Sequence, residues 1–499
     1  MNFLRLKYFA AWPSSLLVFF LVALNLFVKG VFLSHTSLGG DEPFSVYHAQ
    51  MNIASIIQLL AEGNNPPLYE IILHFWIQGF GISEFSVRFP SLLASSISLL
   101  FIYKIGNEFL NRRIALYASV FFIFSNYQLL FAHEARVYAL LGMLTTISMY
   151  AYLHIIRRAV PGPADEVHTS NEKGWRPVVL WAITNALLMY AHYFGFFVLL
   201  TQFVFLGIQR PILLRVWKKI GIGFGITCLL YVPNMPVLIH RFMEASGGTW
   251  VKPPTGLESI YNMLWVFSNA PVVAVCVLML FVFSSVKYLL YVKKARRNPF
   301  FELVVFWFVF VFLLMFGISY TLPMFIDRYV MPAAMAFPLV LGIAVEYAVK
   351  PTRYRYLIPG VVVLLFVATV EPNITNKREV KATVAKLREL KTDDVVVFIC
   401  PDVFDLNFVY YWNRSYFRAY TSKDKMYQLL HSENIYPIHS AAQIDPLQLK
   451  KFDKIVYLDA AADFQYPQNG VRASLDESYR LKDTHHFYEI FKLYEYERK

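Results

Sequence analysis

Charge is scarce in this chain. Only 16% of its 499 residues are Asp, Glu, Lys or Arg, against about a quarter in soluble proteins. Together with 57% hydrophobic residues, that shortage excludes a disordered, collagenous or coiled-coil protein and argues against an ordinary cytosolic enzyme. Cysteine is nearly missing. Cys228, Cys276 and Cys400 form an odd, scattered set, the first two inside apolar runs, so neither a disulfide framework nor a zinc site is implied. A Gly-rich phosphate cradle and a His/Cys ligand spacing are not evident, and no internal repeat is visible. Acidic residues are outnumbered, 34 against 46 Lys and Arg, for a net charge of +12. The excess falls in short loops between apolar runs, as membrane topology demands, and does not point to nucleic acid.

What is present is a series of apolar runs of about 18–22 residues, each able to cross a hydrocarbon layer of about 30 Å. The pattern predicts an α-helical polytopic membrane protein. Roughly eleven spans are expected, near residues 13–33, 87–107, 114–131, 137–156, 177–192, 193–209, 220–239, 264–291, 300–320, 329–349 and 355–371. Arg5 and Lys7 precede the first run as in a signal peptide, but no small-x-small cleavage pattern follows, so a retained first helix is expected. With a cytoplasmic N-terminus, alternate counting puts Lys104, Arg112, Arg113, Arg157, Arg158, Lys173 and Arg176 inside. The same side receives Arg210, Arg215, Lys218, Lys219, Lys287, Lys293, Lys294, Arg296, Arg297, Lys350, Arg353 and Arg355. The bias has one sign throughout, which sets the expected orientation.

One apolar stretch, residues 68–80, is too short to cross, since about 13 residues reach only ~20 Å as a helix. Glu70, His74 and Gln78 recur every four residues on one face, with Ile71, Ile72, Phe75 and Trp76 crowding the other. That predicts a helix lying in the membrane interface, in the first outer loop. Residues 1–371 then form a transmembrane domain. Residues 372–499 contain no spanning run. A helix-like stretch over 378–390, a β-branched run over 395–399 and a strand-like run over 455–458 predict a small α/β extracytoplasmic domain.

Polar residues gather at the outer ends of the spans. Asp41 and Glu42 follow Gly39-Gly40 after the first span, and Asn65-Pro66-Pro67 and Arg88 flank the interfacial helix. His133, Glu134, Arg136 and Tyr138 lie between the third and fourth spans, His192 at the turn between the fifth and sixth, and Asp327-Arg328 between the ninth and tenth. Ionisable groups beside lipid are costly and tend to be functional. Each also has a structural reading. Asp41-Glu42 can be a solvated loop start, and Pro66-Pro67 a helix start. His133 with Arg136 and Glu134 with Tyr138 are spaced to satisfy one another on one helical turn. Asp327-Arg328 can be an interfacial ion pair and His192 an interfacial anchor. The common side and the order of the set weigh for one extracytoplasmic site; His35 and His48 stay outside it.

In order, GGDEPFSVYHAQ, NNPPLYEIILHFWIQGFGISEFSVRFPSLL, HEARVYALLGMLTTISMYAYL, YAHYFGFFVLLTQ and DRYVMPAAMAFPLVLG resemble the GT-C class of membrane glycosyltransferases. Within it they are most similar to the protein O-mannosyltransferase and aminoarabinose transferase branch. The resemblance covers residues 1–350, and residues 378–411 are similar to the outer domain of bacterial members. It implies a GT-C-like fold and transfer of a sugar from a polyprenyl-phosphate donor to a protein, lipid or glycan acceptor outside the cytosol. It further implies a bacterial inner membrane, with the C-terminal domain periplasmic. On the resemblance, Asp41 is the general base or acceptor-binding carboxylate, with Glu42 beside it, while Pro66, Pro67 and Arg88 border the donor site. The family often has His or Lys before Pro-Pro. Asn65 stands there in this chain, so the cation's task passes to Arg88, Arg136 or Arg328.

The chemistry is coherent without the resemblance. A sugar linked through phosphate already carries a leaving group. A carboxylate must take the acceptor's proton, and cations, best arginines, must meet the charge on the departing phosphate. A divalent cation near Asp41-Glu42 is an open expectation. The alternative from another class is a transporter or flippase of a lipid-linked substrate, which expects midplane polar residues, broken helices and repeats. A membrane scaffold presenting residues 372–499 leaves the acidic pair and outer arginines unexplained.

Overall fold

The computed structural model describes residues 13–63, 65–160, 174–244, 251–291, 298–348, 356–374, 378–418, 422–444, 451–487 and 490–499. Arg5, Lys7, residues 161–173 of an expected inside loop, and Lys293, Lys294, Arg296, Arg297, Lys350, Arg353 and Arg355 lie outside them. The chain is an integral membrane protein, and helices occupy each expected span. Among the described residues six helices are long and apolar enough to cross a bilayer, and a bent pair is a seventh if it counts as one span. Ser14–Gly30, Gly195–Ile208 and Leu357–Thr369 are apolar but shorter.

Contacts divide the chain into two compact units. The first contains Met1–Val31, Ile57–Tyr69 and Arg88–Ile374 and holds the apolar helices. Its first helix, Ser14–Gly30, carries a buried polar stripe at four-residue spacing. Asn25 donates to Ser96 Oγ at 3.0 Å and Lys29 Nζ to Ser95 Oγ at 3.1 Å. Both acceptors are serines of the helix Glu84–Ile105, and such interhelical hydrogen bonds from polar side chains are one of the forces that join helices in lipid.

Two expected spans are interrupted. The stretch expected at 114–131 is Arg112–Ile123 followed by Asn126–Ala132, bent by 60°, and the one expected at 264–291 breaks between Phe267 and Pro271. The breaks satisfy each other. Asn269, in the left-handed region at φ 68°, accepts from Asn126 N–H at 2.8 Å and donates to Phe124 O at 2.8 Å. Freed backbone groups at membrane depth need such partners, so the helices bend where these side chains meet. The run expected at 329–349 is likewise two helices, Met331–Ala334 and Phe337–Ala348.

The second unit gathers Phe32–Ile56, Glu70–Val87 and Thr375–Lys499. Its sheet has the order β2-β1-β3-β5-β4, with β1 Val395–Cys400, β2 Ile435–Pro437, β3 Lys454–Ala460, β4 Tyr479–Phe487 and β5 Phe491–Arg498. β1 runs parallel to β2 and β3, and β5 antiparallel to β3 and β4. Every residue of β1 is buried, as expected of an uninterrupted apolar run covered on both faces. The helices Val380–Leu390 and Asp405–Trp412 belong to this unit, as does most of the helix Leu68–Phe80. That helix turns its polar face inward: Glu70 accepts from Ser45 Oγ at 2.8 Å, and His74 Nδ1 lies 2.8 Å from Ala49 O. Ile72 and Phe75 on the opposite face are exposed.

Candidate functional site

Tyr190-Ala191-His192-Tyr193-Phe194-Gly195 makes the tight return between the helices Arg176–Ala191 and Gly195–Ile208. Gly195 permits it, because a Cβ there would stand 2.8 Å from Leu188 O. His192 lies in the turn, outside both helices. Its ring is buried, 4% exposed, stacks on Phe194 at 4.6 Å and packs beside Tyr329 at 5.8 Å and Tyr138 at 6.2 Å. Phe194 N–H donates to His192 Nδ1 at 3.2 Å, which leaves the proton of a neutral ring on Nε2. Nε2 has no hydrogen-bond partner among the described residues. Burial, and then the charges of Arg136 and Arg328, push the imidazole down to about 3. His192 is therefore a neutral N–H donor within electrostatic reach of Arg136 and Arg328.

The segment carrying Arg136 is a turn, not a helix. Residues 133–137 connect Asn126–Ala132 to Tyr138–Arg157, so the helical turn expected over 133–138 is a non-helical connection up to Tyr138. Arg136 N–H instead donates to Glu134 O at 2.8 Å, and the side chain is buried, 5% exposed. His133 Nε2 lies 2.6 Å from Lys29 O, tying the turn to the end of the first helix. Tyr138 opens the following helix, buried against Phe131. In the segment 327–329, Tyr127 donates to Asp327 O at 2.7 Å, while Asp327 Oδ1 accepts from the backbone of Arg328. The Arg328 guanidinium lies 5.5 Å from the Tyr329 ring centroid.

Of the residues singled out from sequence, the structure thus brings Arg136, Tyr138, His192 and Arg328 into one neighbourhood, with His133 and Glu134 on the turn that delivers Arg136. Arg88, 1% exposed, sits near the start of the helix Glu84–Ile105. Pro66 is buried and Asn65 half-buried ahead of the helix Leu68–Phe80. All of these belong to the first unit. Phe194 and Tyr329 were not singled out; each adjoins a charged or imidazole residue that was. Lys29 was also missed. It is fully buried, with its Nζ 4.1 Å from the Phe122 ring, and the available signal was a lysine inside the apolar run NLFVKGVFL.

Asp41 and Glu42 belong to the second unit. Asp41 precedes the short helix Glu42–His48 and is exposed, whereas Glu42 is buried, 1% exposed. Glu42 Oε2 accepts from Gly39 N–H at 3.2 Å, and Glu42 N–H donates to Gly39 O at 3.3 Å. The loop is closed from both ends, and of the two acids Asp41 is the exposed one. As to a metal, the described residues contain one group of three acidic and histidine side chains with ligand atoms within 4.8 Å of one another: Asp483, His485 and Glu495 on β4 and β5. Asp41 and Glu42 are not in it, and no mechanistic step is routed through a metal.

The His192 environment sets a pH dependence. Its folded pKa lies below the ordinary 6.5, so the unfolded chain takes the proton more readily. Stability from the neutral ring is complete above about pH 6.5 and is lost as the pH falls from there towards 3. Thermal unfolding in detergent at pH 7.5 and 4.5 reads this: the wild type loses more stability than His192→Asn. Equal losses would mean that the ring is not held neutral.

The sequence profile of the family described as dolichyl-phosphate-mannose-protein mannosyltransferase matches residues 64–239. No curated protein matches the chain by sequence. Among solved structures, ArnT from Cupriavidus metallidurans in the apo state is similar at TM-score 0.59 and 11% identity, over 97% of this chain and 98% of that one. The same protein bound to undecaprenyl phosphate gives TM-score 0.58 at 11% identity, with the same coverages. The oligosaccharyltransferase AglB from Archaeoglobus fulgidus, in complex with an inhibitory peptide and a dolichol-phosphate, gives 0.56 at 11% identity, over 94% of this chain and 73% of that one. The chain has the GT-C fold.

Proposed function

We propose that this protein is a membrane glycosyltransferase that moves a sugar from a polyprenyl-phosphate donor to an acceptor hydroxyl on the extracytoplasmic face of a bacterial inner membrane. The reading rests on one observation above all: a buried neutral imidazole N–H set among Arg136, Arg328 and three aromatic rings. Such a group serves an anion. Two guanidinium groups supply charge-assisted donors to phosphate oxygens, in a dry setting where each is worth more than in water. With its pKa far below working pH the His192 ring is neutral, and because Nδ1 accepts from Phe194 N–H the one remaining proton sits on Nε2. The solved relatives in complex with undecaprenyl phosphate and dolichol-phosphate make a polyprenyl phosphate the natural anion.

In the proposed reaction the acceptor hydroxyl oxygen attacks the anomeric carbon while the bond from that carbon to the phosphate oxygen breaks. Asp41 takes the hydroxyl proton as general base, with Glu42 holding its loop. The departing polyprenyl phosphate keeps the bonding pair, and Arg136, Arg328 and the His192 N–H meet the charge; Arg88 is a further cation of the same unit. Asn65 and Pro66 shape the entry to the helix Leu68–Phe80, whose exposed Ile72 and Phe75 rest in the bilayer surface. The N-terminus is cytoplasmic and residues 372–499 are periplasmic. Mass spectrometry of lipid-linked sugars and envelope glycans tests this in a strain lacking the gene. Loss of the protein leaves a polyprenyl-phosphate sugar accumulated and an acceptor short of that sugar, and restoring the wild-type chain reverses both. Unchanged donor and acceptor pools contradict the reading.

A further inference from the structure

The loop that carries Asp41 is held by residues from the distant C-terminal segment of the chain, all within the second unit. Asn407 Nδ2 donates to Gly40 O at 3.1 Å. Leu38 N–H donates to Tyr411 Oη at 2.7 Å, and Lys381 N–H donates to Ser37 Oγ at 3.1 Å. Gly40 has φ +59°, and the Arg378 guanidinium occupies the space where its Cβ would stand. Four consecutive residues, Ser37 to Gly40, thus each meet a group from the C-terminal segment or, at Gly39, the Glu42 carboxylate. Asp41 comes next.

The gripping residues share a helical face. Asn407 and Tyr411 are spaced i, i+4 on Asp405–Trp412, the spacing of neighbours on one side of a helix. Their targets are mostly main-chain atoms. Arg414 and its neighbour Tyr410 reach a different place, Ile82 O, at 3.4 and 2.7 Å. One helix therefore holds two segments of the unit, and only one of these carries the carboxylate. Asn407 is 5% exposed, and because its amide nitrogen must face the Gly40 carbonyl, the orientation of the amide is determined. A Gly-Gly loop left alone is mobile, since ordering each residue costs about 1–2 kcal/mol in backbone entropy. A base misplaced by about 1 Å can cost ~10²-fold in rate.

We propose that Asn407 and Tyr411 are positioning residues for Asp41: the C-terminal segment holds the Ser37–Gly40 backbone so that the Asp41 carboxylate is pre-set to take the acceptor proton. The proposal rests on the glycosyltransferase reading. It assigns the C-terminal segment to turnover and not to donor affinity.

The test uses the full chain in lipid nanodiscs. Asn407→Ala and Tyr411→Phe are expected to lower kcat about 10–10²-fold with the donor KM within about twofold. Tyr410→Phe removes a hydroxyl from the same helix that bonds Ile82 O, and it leaves kcat unchanged. Hydrogen exchange provides a readout independent of activity: Asn407→Ala speeds exchange over residues 37–42 and leaves β1 and β3 protected as in the wild type. Wild-type kcat in both variants, a loss matched by Tyr410→Phe, or unchanged exchange over 37–42 would each overturn the proposal. Asp41→Asn separates the two readings. If it retains full transfer, the assignment of the base fails; if it is inactive while Asn407→Ala and Tyr411→Phe turn over normally, only the positioning role fails.

Discussion

Asp41→Asn is expected to lower sugar transfer by about 10²–10⁴-fold, the range that a positioned general base contributes, while the protein still inserts and unfolds as the wild type does. Asparagine keeps the size and most of the hydrogen-bonding capacity of aspartate and loses only the ability to take a proton. Asp41 is exposed and Glu42 is buried with Oε2 committed to Gly39 N–H, so the two acids are not equivalent. Glu42→Gln therefore acts by loosening the loop, and its effect on rate is smaller than that of Asp41→Asn. Donor consumption in membranes carrying each variant gives the comparison. A larger loss in Glu42→Gln would exchange the two roles.

The second large effect is at the cations beside His192, buried Arg136 and half-buried Arg328. Arg136→Gln together with Arg328→Gln is expected to lower turnover by about 10²–10³-fold, comparable with removing an oxyanion donor. Arg136→Lys retains charge but loses the planar fork that grips two phosphate oxygens at once, and it recovers only part of the rate. The double glutamine variant also removes both positive charges that depress His192, so the imidazole pKa moves up, towards that of an ordinary histidine. Imidazole resonances followed by NMR through a pH titration detect that shift. A His192 pKa that does not move when both arginines are replaced would place the guanidinium charges too far away to serve a shared anion.

The apolar runs and loop charges were sufficient to read a polytopic helical membrane protein from sequence, because span length and loop charge are local properties; the GT-C class came from the resemblance of the ordered segments. The helix Leu68–Phe80 was legible with both ends, since its four-residue polar spacing repeats within the segment. The breaks at Phe124 and Asn269 were not legible: what stabilises them is a pair of asparagines 143 residues apart, and neither position is unusual in its own window. Arg136, His192 and Arg328 were recognisable as costly polar residues, but the neutrality of His192 depends on a turn that buries the ring and on charges from two other segments. Likewise, nothing near Gly40 indicated that Asn407 and Tyr411 would hold its loop, because a hydrogen bond to main chain leaves no pattern in the partner's sequence. The α/β character of the C-terminal segment was readable from VVVFIC and KIVYLDA, while the antiparallel pair β4 and β5 escaped because both strands are rich in charged residues.

The central claim is that Arg136, Arg328 and His192 hold a polyprenyl phosphate by its charged end. Native mass spectrometry of the detergent-solubilised protein with undecaprenyl phosphate, and separately with the uncharged alcohol undecaprenol, addresses it directly. The account predicts that the phosphate binds well above the alcohol in the wild type and that this preference disappears in the Arg136→Gln, Arg328→Gln double variant. Equal binding of the two lipids by the wild type, or a preference that survives the double substitution, would contradict it.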